Sequence, residues 1–161
     1  MRRVVLAPLT LIVLAACQPT TTELTDEQEA AIADTVRQLA DTYVGDLRAL
    51  NFDRMMASYA SEIVVAENGV LGANRDSLLT AWRSGFASFR EVTNADWREV
   101  HVKVLGPAAA VLTGSWTSAW VDTAGVALGA RGVWTGVWER GTEGWKIVYS
   151  HESYLPTPES M

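Results

Sequence analysis

Alternating apolar and polar residues, interrupted by short turns, fill the second half of this chain and constrain its fold more than any other feature. Val100, Val102 and Val104 alternate with polar residues in "WREVHVKVL", and the segments "AAVLTGSWTSAWV", "ARGVWTGVWER" and "GWKIVYSHESY" follow. A period of two is typical of β-strands with one buried face. Gly106-Pro107 and the segment "GTEG" mark turns between strands. The pattern predicts an antiparallel meander that starts near Asp96.

The first half of the chain has the longer period of α-helices. Thr25 and Gln28 form a capping-box signal for a long amphipathic helix, predicted from Asp26 to Ala49. A shorter helix is predicted from Phe52 to Tyr59, and a third within "ANRDSLLTAWRSGFASF". The strand "EIVVA" separates the second helix from the third and ends at an Asn68-Gly69 turn. Three helices followed by a meander predict an α+β fold, and 161 residues suffice for one domain with a core.

The first residues of the chain have the composition of a leader. Arg2 and Arg3 precede the apolar run from Val4 to Ala16, which is too short to span a bilayer as a helix of ~20 residues. The end of this run, "LAAC", resembles the lipobox of bacterial lipoproteins. That resemblance implies a signal peptide at 1–16, lipidation of Cys17 and a tether over 17–24. An ordinary secretory peptide with an incidental cysteine is the alternative, and a single cysteine allows no intrachain disulfide.

The charge of the chain is negative. Removing the leader takes away two of the 13 basic residues and none of the 19 acidic ones, which leaves 11 − 19 = −8. A chain of this charge with no basic tract is a poor partner for nucleic acid or anionic lipid headgroups. Gln18 follows the cysteine, where an aspartate favours inner-membrane retention in enterobacterial lipoproteins. We therefore expect a lipid-anchored protein of the outer membrane that faces the periplasm.

The last two strands contain a motif made of Thr135, Val137, Trp138, Gly144-Trp145, His151 and Ser153. This motif resembles the nuclear-transport-factor-2-like superfamily, in its SnoaL-like and calcium/calmodulin-dependent-kinase association-domain branches. The resemblance implies a cone over residues 25–155, in which a strongly curved mixed sheet wraps a long N-terminal helix and two shorter helices. It also implies a pocket at the open end, pairing through the sheet as a homodimer, and a C-terminal tail at 156–161.

Aromatic residues at alternating positions predict the wall of this pocket. Trp116 and Trp120 share one strand face, and Trp134 and Trp138 share a face of the next strand. If both faces turn inward, four indoles line the concave side, where an apolar or flat small molecule would fit. The alternative is that these indoles simply fill the core. The predicted ligand pocket comprises Trp82, Phe86, Trp116, Trp120, Trp134, Trp138 and Glu152.

Enzymes of the family that this chain resembles use a pocket carboxylate as acid or base, which requires a pKa near the working pH. No two candidates have a spacing that requires a dyad. His151 and Glu152 are adjacent on a strand, so they point to opposite faces. The resemblance places Val148, Ser150 and Glu152 inside and Trp145, Ile147 and His151 outside, and a local bulge would bring His151 inward. The candidates are Glu62, Glu67, Asp96, Asp122 and Glu152, with His101 and His151 as partners.

Three functions remain open at this stage. The first is a domain that holds a small apolar ligand or a protein partner beside the membrane. The second is an isomerase, cyclase or dehydratase with Glu152 or His151 as acid/base, which needs an ionisable group deep in the pocket. The third is a dimerisation module whose pocket the tryptophans fill. No cofactor or metal is expected, because the chain has neither an H-x-H nor a C-x-x-C spacing.

Overall fold

The computed structural model describes residues 23–72 and 75–157. The predicted signal peptide at 1–16, Cys17 and nearly all of the tether lie outside the described residues, as does the end of the predicted tail. The boundaries that the leader motif gives therefore stay predictions.

Three helices form, and the long one begins where the capping box predicts. The helices are α1 (Asp26–Arg48), α2 (Phe52–Met56) and α3 (Arg75–Phe86). The backbone N–H of Thr25 donates to the Gln28 side chain at 2.9 Å, and the N–H of Gln28 donates to the Thr25 hydroxyl at 3.3 Å. The predicted end of α2 is wrong: Tyr59, which is buried, already belongs to the first strand.

Six strands form one mixed sheet, as the resemblance implies. They are β1 (Tyr59–Glu67), β2 (Val70–Gly72), β3 (Phe89–Gly106), β4 (Ala109–Asp122), β5 (Ala127–Gly141) and β6 (Gly144–Thr157). Their order in the sheet is β2-β1-β6-β5-β4-β3. The pair of β1 and β6 is parallel, and all the other neighbours are antiparallel. The α+β class and the predicted meander are confirmed, although β3 starts at Phe89 rather than near Asp96.

The sheet curves around α1, and the core lies between them. The pairing of β3 with β4 shifts register four times along its length, and such bulges increase local bend and twist. Val36 and Ala40 of α1 are buried against the inner face of the sheet, which contributes Leu112, Trp138 and Ile147 to the same apolar cluster. Helix and sheet therefore share one core, which leaves the other end of the curved sheet free to enclose a space.

A bulge in β6 corrects the predicted division of its faces. Trp138 pairs with Ile147, whereas Val137 pairs with Tyr149, so Val148 is an extra residue in the register. Because of this shift Ile147 turns inward and is only 1% exposed, and Trp145 packs against the core, whereas the resemblance places both on the outer face and Val148 inside. The bulge precedes His151 and therefore does not bring that side chain inward, since regular alternation resumes beyond it.

Candidate functional site

A cavity of about 330 Å³ opens at the end of the sheet where β1, β4 and β6 finish and β3 and β5 begin. From α1 only its second half contributes, through Ala40, Tyr43, Val44 and Leu47. Most of the wall is apolar and aromatic, and the space persists although several indoles surround it. The side chains predicted to form the pocket all line this cavity, namely Trp82, Phe86, Trp116, Trp120, Trp134, Trp138 and Glu152.

Trp97 also lines the cavity, and the sequence analysis missed it. Simple alternation along β3 places Trp97 and Val100 on opposite faces. A register shift lies between Trp97 and Glu99, and both Trp97 and Val100 pack against the core cluster. Trp97 pairs directly with Trp116 of β4, and its indole N–H donates to the Ala40 carbonyl at 3.4 Å. A bulge of this kind leaves no clear signal in a single sequence.

Two glycines in β5 leave the space that the indole rings of Trp116 and Trp134 occupy. The Trp134 ring folds over Gly136, where an added Cβ would lie only 2.0 Å from the ring. A Cβ on Gly132 would lie 3.0 Å from the Trp116 ring and 2.5 Å from the backbone oxygen of Ser153. Such approaches are possible only without a side chain, so these glycines allow the rings to lie flat on the inner face of the sheet.

Two carboxyl groups meet in the cavity wall. Glu67 pairs in register with Glu152 across the parallel strands β1 and β6, and both line the cavity. The pKa of Glu152 is raised from 4.5 to about 7, mainly by burial and to a smaller extent by the negative charge of Glu67. The indole N–H of Trp116 opposes this pKa shift, although it does not reach the geometry of a formed hydrogen bond. Near neutral pH the Glu152 carboxyl can therefore both give and accept a proton.

Hydrogen bonds hold Glu67 in place beside β6. The Tyr154 hydroxyl donates to one Glu67 oxygen at 3.0 Å, and the Trp82 indole N–H donates to the other at 3.4 Å. The Asn68-Gly69 turn adds two bonds to β6: the Asn68 N–H donates to the Glu152 carbonyl, and the Tyr154 N–H donates to the Asn68 side chain. Both Glu67 oxygens therefore accept hydrogen bonds from neighbouring side chains, whereas Glu152 is the member of the pair whose pKa is raised.

Two phenols complete the polar part of the wall. The hydroxyl oxygens of Tyr43 and Tyr59 lie 3.3 Å apart. Burial raises the pKa of both hydroxyls, and the charges of Glu152 and Glu67 add to the effect. Both phenols therefore stay protonated and can donate a hydrogen bond.

The other candidate acids are not placed for proton transfer in the cavity. Asp96 lines it but forms an ion pair with Arg48. Glu62 is exposed, and the Asp122 carboxylate accepts the Val126 N–H in the turn after β4.

The two histidines lie outside the cavity. The His101 ring is exposed and lies 2.8 Å from the Glu99 carboxylate. His151 is exposed on the outer face of the sheet, where it pairs with Thr135. Of the two acid/base candidates on β6, the structure brings only Glu152 into the cavity.

Two polar atoms in the cavity wall lack partners. The indole nitrogens of Trp116 and Trp138 are buried without a hydrogen bond to any described residue, and buried N–H groups ordinarily have one. Within residues 23–72 and 75–157, no group of three histidine, cysteine, aspartate or glutamate side chains is placed to hold a metal ion. None of the described helices combines the length and apolar character needed to cross a bilayer.

Comparisons with known proteins agree with this architecture. A family model of the SnoaL-like domain matches residues 36–158. A comparison with curated proteins finds no match.

Three solved structures illustrate the likeness. A candidate calcium/calmodulin-dependent protein kinase II association domain from Xanthomonas campestris is 22% identical over 78% of this chain and 88% of its own, with a TM-score of 0.65. A candidate scytalone dehydratase from Novosphingobium aromaticivorans is 10% identical over 85% and 93%, with a TM-score of 0.75. A ketosteroid isomerase-like protein from Erwinia carotovora is 17% identical over 83% and 100%, with a TM-score of 0.64. At these identities the likeness establishes the fold alone.

Proposed function

The chain belongs to the SnoaL-like domain family, and from that premise we propose that its aromatic cavity binds a small, largely apolar molecule. The observation that supports this most directly is the open volume of about 330 Å³ behind a wall of indoles. Pockets of this size with apolar walls and few polar groups are typical of small-molecule sites. A cavity that the tryptophans had filled, as the dimerisation-module hypothesis requires, would not leave this space.

Native mass spectrometry tests the binding proposal. The full chain would be produced and isolated gently, in a mild detergent, from the envelope of the producing cell. We expect a retained small-molecule mass that Trp134→Ala abolishes, because Trp134 lines the cavity. Trp145→Ala is the matched control, since Trp145 packs against the core without lining the cavity. The proposal would be contradicted if both variants retained the small-molecule mass. It would also be contradicted if neither the wild-type protein nor the Trp145→Ala control retained it.

A second candidate function is proton transfer by Glu152, as in an isomerase, cyclase or dehydratase. The raised pKa of this buried carboxyl favours it, because a general acid/base works best with a pKa near the operating pH. The test is exchange of the hydrogens next to the carbonyl of a flat ketone, 2-tetralone, in D₂O. Catalysed exchange that Glu152→Gln lowers to the buffer rate and Glu62→Gln leaves intact would support it. Exchange at the buffer rate with the wild-type protein would argue against it.

The proposal includes attachment to a membrane through Cys17, on the outer membrane facing the periplasm. Its support is the order of charge, apolar run and cysteine in the leader, together with the resemblance of "LAAC" to the lipobox. Several acyl chains on one residue would hold the protein firmly, since one chain alone binds only marginally.

We also propose that two copies of the chain pair through the outer face of the sheet. Thr113 and Thr135 lie side by side there, with their hydroxyl oxygens 3.0 Å apart, and Val133 and Tyr149 are 47% and 39% exposed nearby. Hydroxyl and apolar side chains occupy this part of the face, with His101 and Glu99 beside them on β3, and such a mixed surface suits burial against its own copy. The Xanthomonas protein named as an association domain has the same fold, which supports self-assembly.

A further inference from the structure

The charge of the cavity wall has one sign. The ionisable acids that line it are Glu67, Asp96 and Glu152, and none of its lining side chains in the described part of the chain is lysine, arginine or histidine. Arg48 neutralises Asp96 through their ion pair. No lysine, arginine or histidine of residues 23–72 and 75–157 forms an ion pair with Glu67 or Glu152, so the negative charge of this pair is left for whatever occupies the cavity.

Aromatic rings surround the same space. The face of an indole or phenol ring is negative, and it attracts a cation within about 6 Å of its centre. Such attraction is stronger where water is excluded, and the wall here is mostly apolar. The rings that line the cavity together with the two glutamates include those of Trp82, Trp97, Trp116, Trp120, Trp134 and Tyr154.

An independent observation indicates that the cavity is completed by a bound molecule. Trp138 is 1% exposed and lines the cavity, yet its indole nitrogen has no hydrogen-bond partner among the described residues. The Trp116 nitrogen also lacks a formed hydrogen bond, although it lies near enough to Glu152 to lower the pKa of that carboxyl. A buried donor that stays unpaired destabilises the fold, and an acceptor atom on the body of a bound ligand would remove that cost.

We propose that this cavity selects an organic cation, an amine or quaternary ammonium group joined to a flat apolar body, with the positive group beside Glu67 and Glu152. The inference deepens the proposed binding function and rests on it. A cation between the two carboxyl groups relieves their mutual repulsion, which a neutral molecule of the same shape cannot do. The indoles and phenols then enclose the apolar body.

Proton release accompanies binding of this class of ligand. At neutral pH Glu152 is partly protonated, and a cation beside it favours the carboxylate, so its proton passes to solvent. Affinity for a permanent cation therefore rises between about pH 6 and about pH 8, as Glu152 ionises. The other titratable and charged groups that face the pair are Tyr43, Tyr59 and Tyr154, whose pKa values are raised, and Asp96 with its partner Arg48.

The test compares two probes of the same shape, one positively charged and one neutral. Benzyltrimethylammonium and neopentylbenzene differ only in the central atom, which is a positively charged nitrogen in the first and a neutral carbon in the second. Titrations of residues 18–161 with each probe, followed by NMR, give the two affinities. We expect the cation to bind roughly tenfold tighter or more at pH 8, and its advantage to shrink at pH 6.

Isosteric variants assign the effect to the pair. Glu152→Gln and Glu67→Gln should each remove most of the preference for the cation while neopentylbenzene still binds. Glu62→Gln, an exposed glutamate on the same strand as Glu67, should change neither affinity.

The outcomes separate the two levels of the proposal. Equal or tighter binding of neopentylbenzene to the wild-type protein overturns the ligand class and leaves a binding cavity. A folded protein that binds neither probe contradicts the binding function itself. A cation preference that survives both glutamine substitutions would also overturn the inference.

Discussion

Glu67 and Glu152 occupy directly opposed positions on the two parallel strands β1 and β6, and both line one cavity. Burial and the negative charge of Glu67 together raise the pKa of Glu152. Glu67 itself accepts hydrogen bonds from Tyr154 and Trp82. The other member, Glu152, remains available for a proton or for a cation.

Glu152→Gln should flatten the dependence of stability on pH. The folded-state pKa of Glu152 is raised above its ordinary 4.5 to about 7, so the folded protein holds a proton that the unfolded chain releases. The free energy of unfolding therefore falls as pH rises through this window, by about 3 kcal/mol in all. Urea denaturation at pH 4.5 and at about pH 7 measures this fall in the free energy of unfolding. The Glu62→Gln variant should show the same fall in the free energy of unfolding as the wild type. An equal fall in Glu152→Gln would show that another group causes the pH dependence.

Gly136→Ala should displace the Trp134 indole. The new methyl group would overlap the ring, and overpacking of this kind ordinarily costs about 1–3 kcal/mol. Thermal unfolding gives the loss of stability, and tryptophan fluorescence reports the moved ring. Gly141→Ala is the matched control on the same strand, because an added methyl there meets no atom within 4 Å. Equal stability of the two variants would mean that the ring relaxes without strain.

Val133→Arg should convert the proposed homodimer to monomers. The substitution places a positive charge in the middle of the outer face. In a symmetric pair the two arginines would face each other, and their repulsion would separate the copies. Sedimentation velocity distinguishes the two masses. Asp41→Arg, on the exposed side of α1, controls for the change of charge alone. A wild-type chain that sediments as a monomer at high concentration would contradict the pairing.

Cys17→Ser should release the chain from the membrane fraction. The serine hydroxyl cannot form the thioether by which lipoproteins are anchored. Fractionation of cells that produce the full chain, with metabolic labelling by a fatty acid, measures both attachment and location. The unsubstituted chain should label and sediment with outer membranes. Labelling that persists in the serine variant would place the lipid on another residue.

The sequence predicted the fold well because its strongest signals are local. The capping box of Thr25 and Gln28, the alternation in the long strands and the motif that ends in Ser153 each depend on nearby residues. Predicted pocket residues such as Trp116 and Trp134 come to the cavity because alternation gives the face of each strand. The family resemblance supplied the curvature that turns those faces inward.

The parts that sequence reasoning missed depend on register. The bulge at Val148 turns Ile147 inward, and the shift after Trp97 brings a further indole to the cavity. Glu67 and Glu152 are far apart in the sequence, and their adjacency follows from a parallel pairing whose register no local pattern specifies. For this reason Glu67 was one candidate among several acids, and its partnership with Glu152 emerged only from the assembled sheet.

The direction of α1 has a consequence for how the domain would stand on a bilayer. The cavity is lined by α1 only from Ala40 onwards, so roughly 20 Å of helix separates the start at Asp26 from the nearest part of the wall. A lipid anchor at Cys17 would therefore hold the molecule by the end remote from its opening. The opening of the cavity would then face the aqueous compartment, and a ligand would enter from solution rather than from the bilayer. In that arrangement the proposed anchor would set the direction in which the cavity faces as well as the membrane to which the protein is attached.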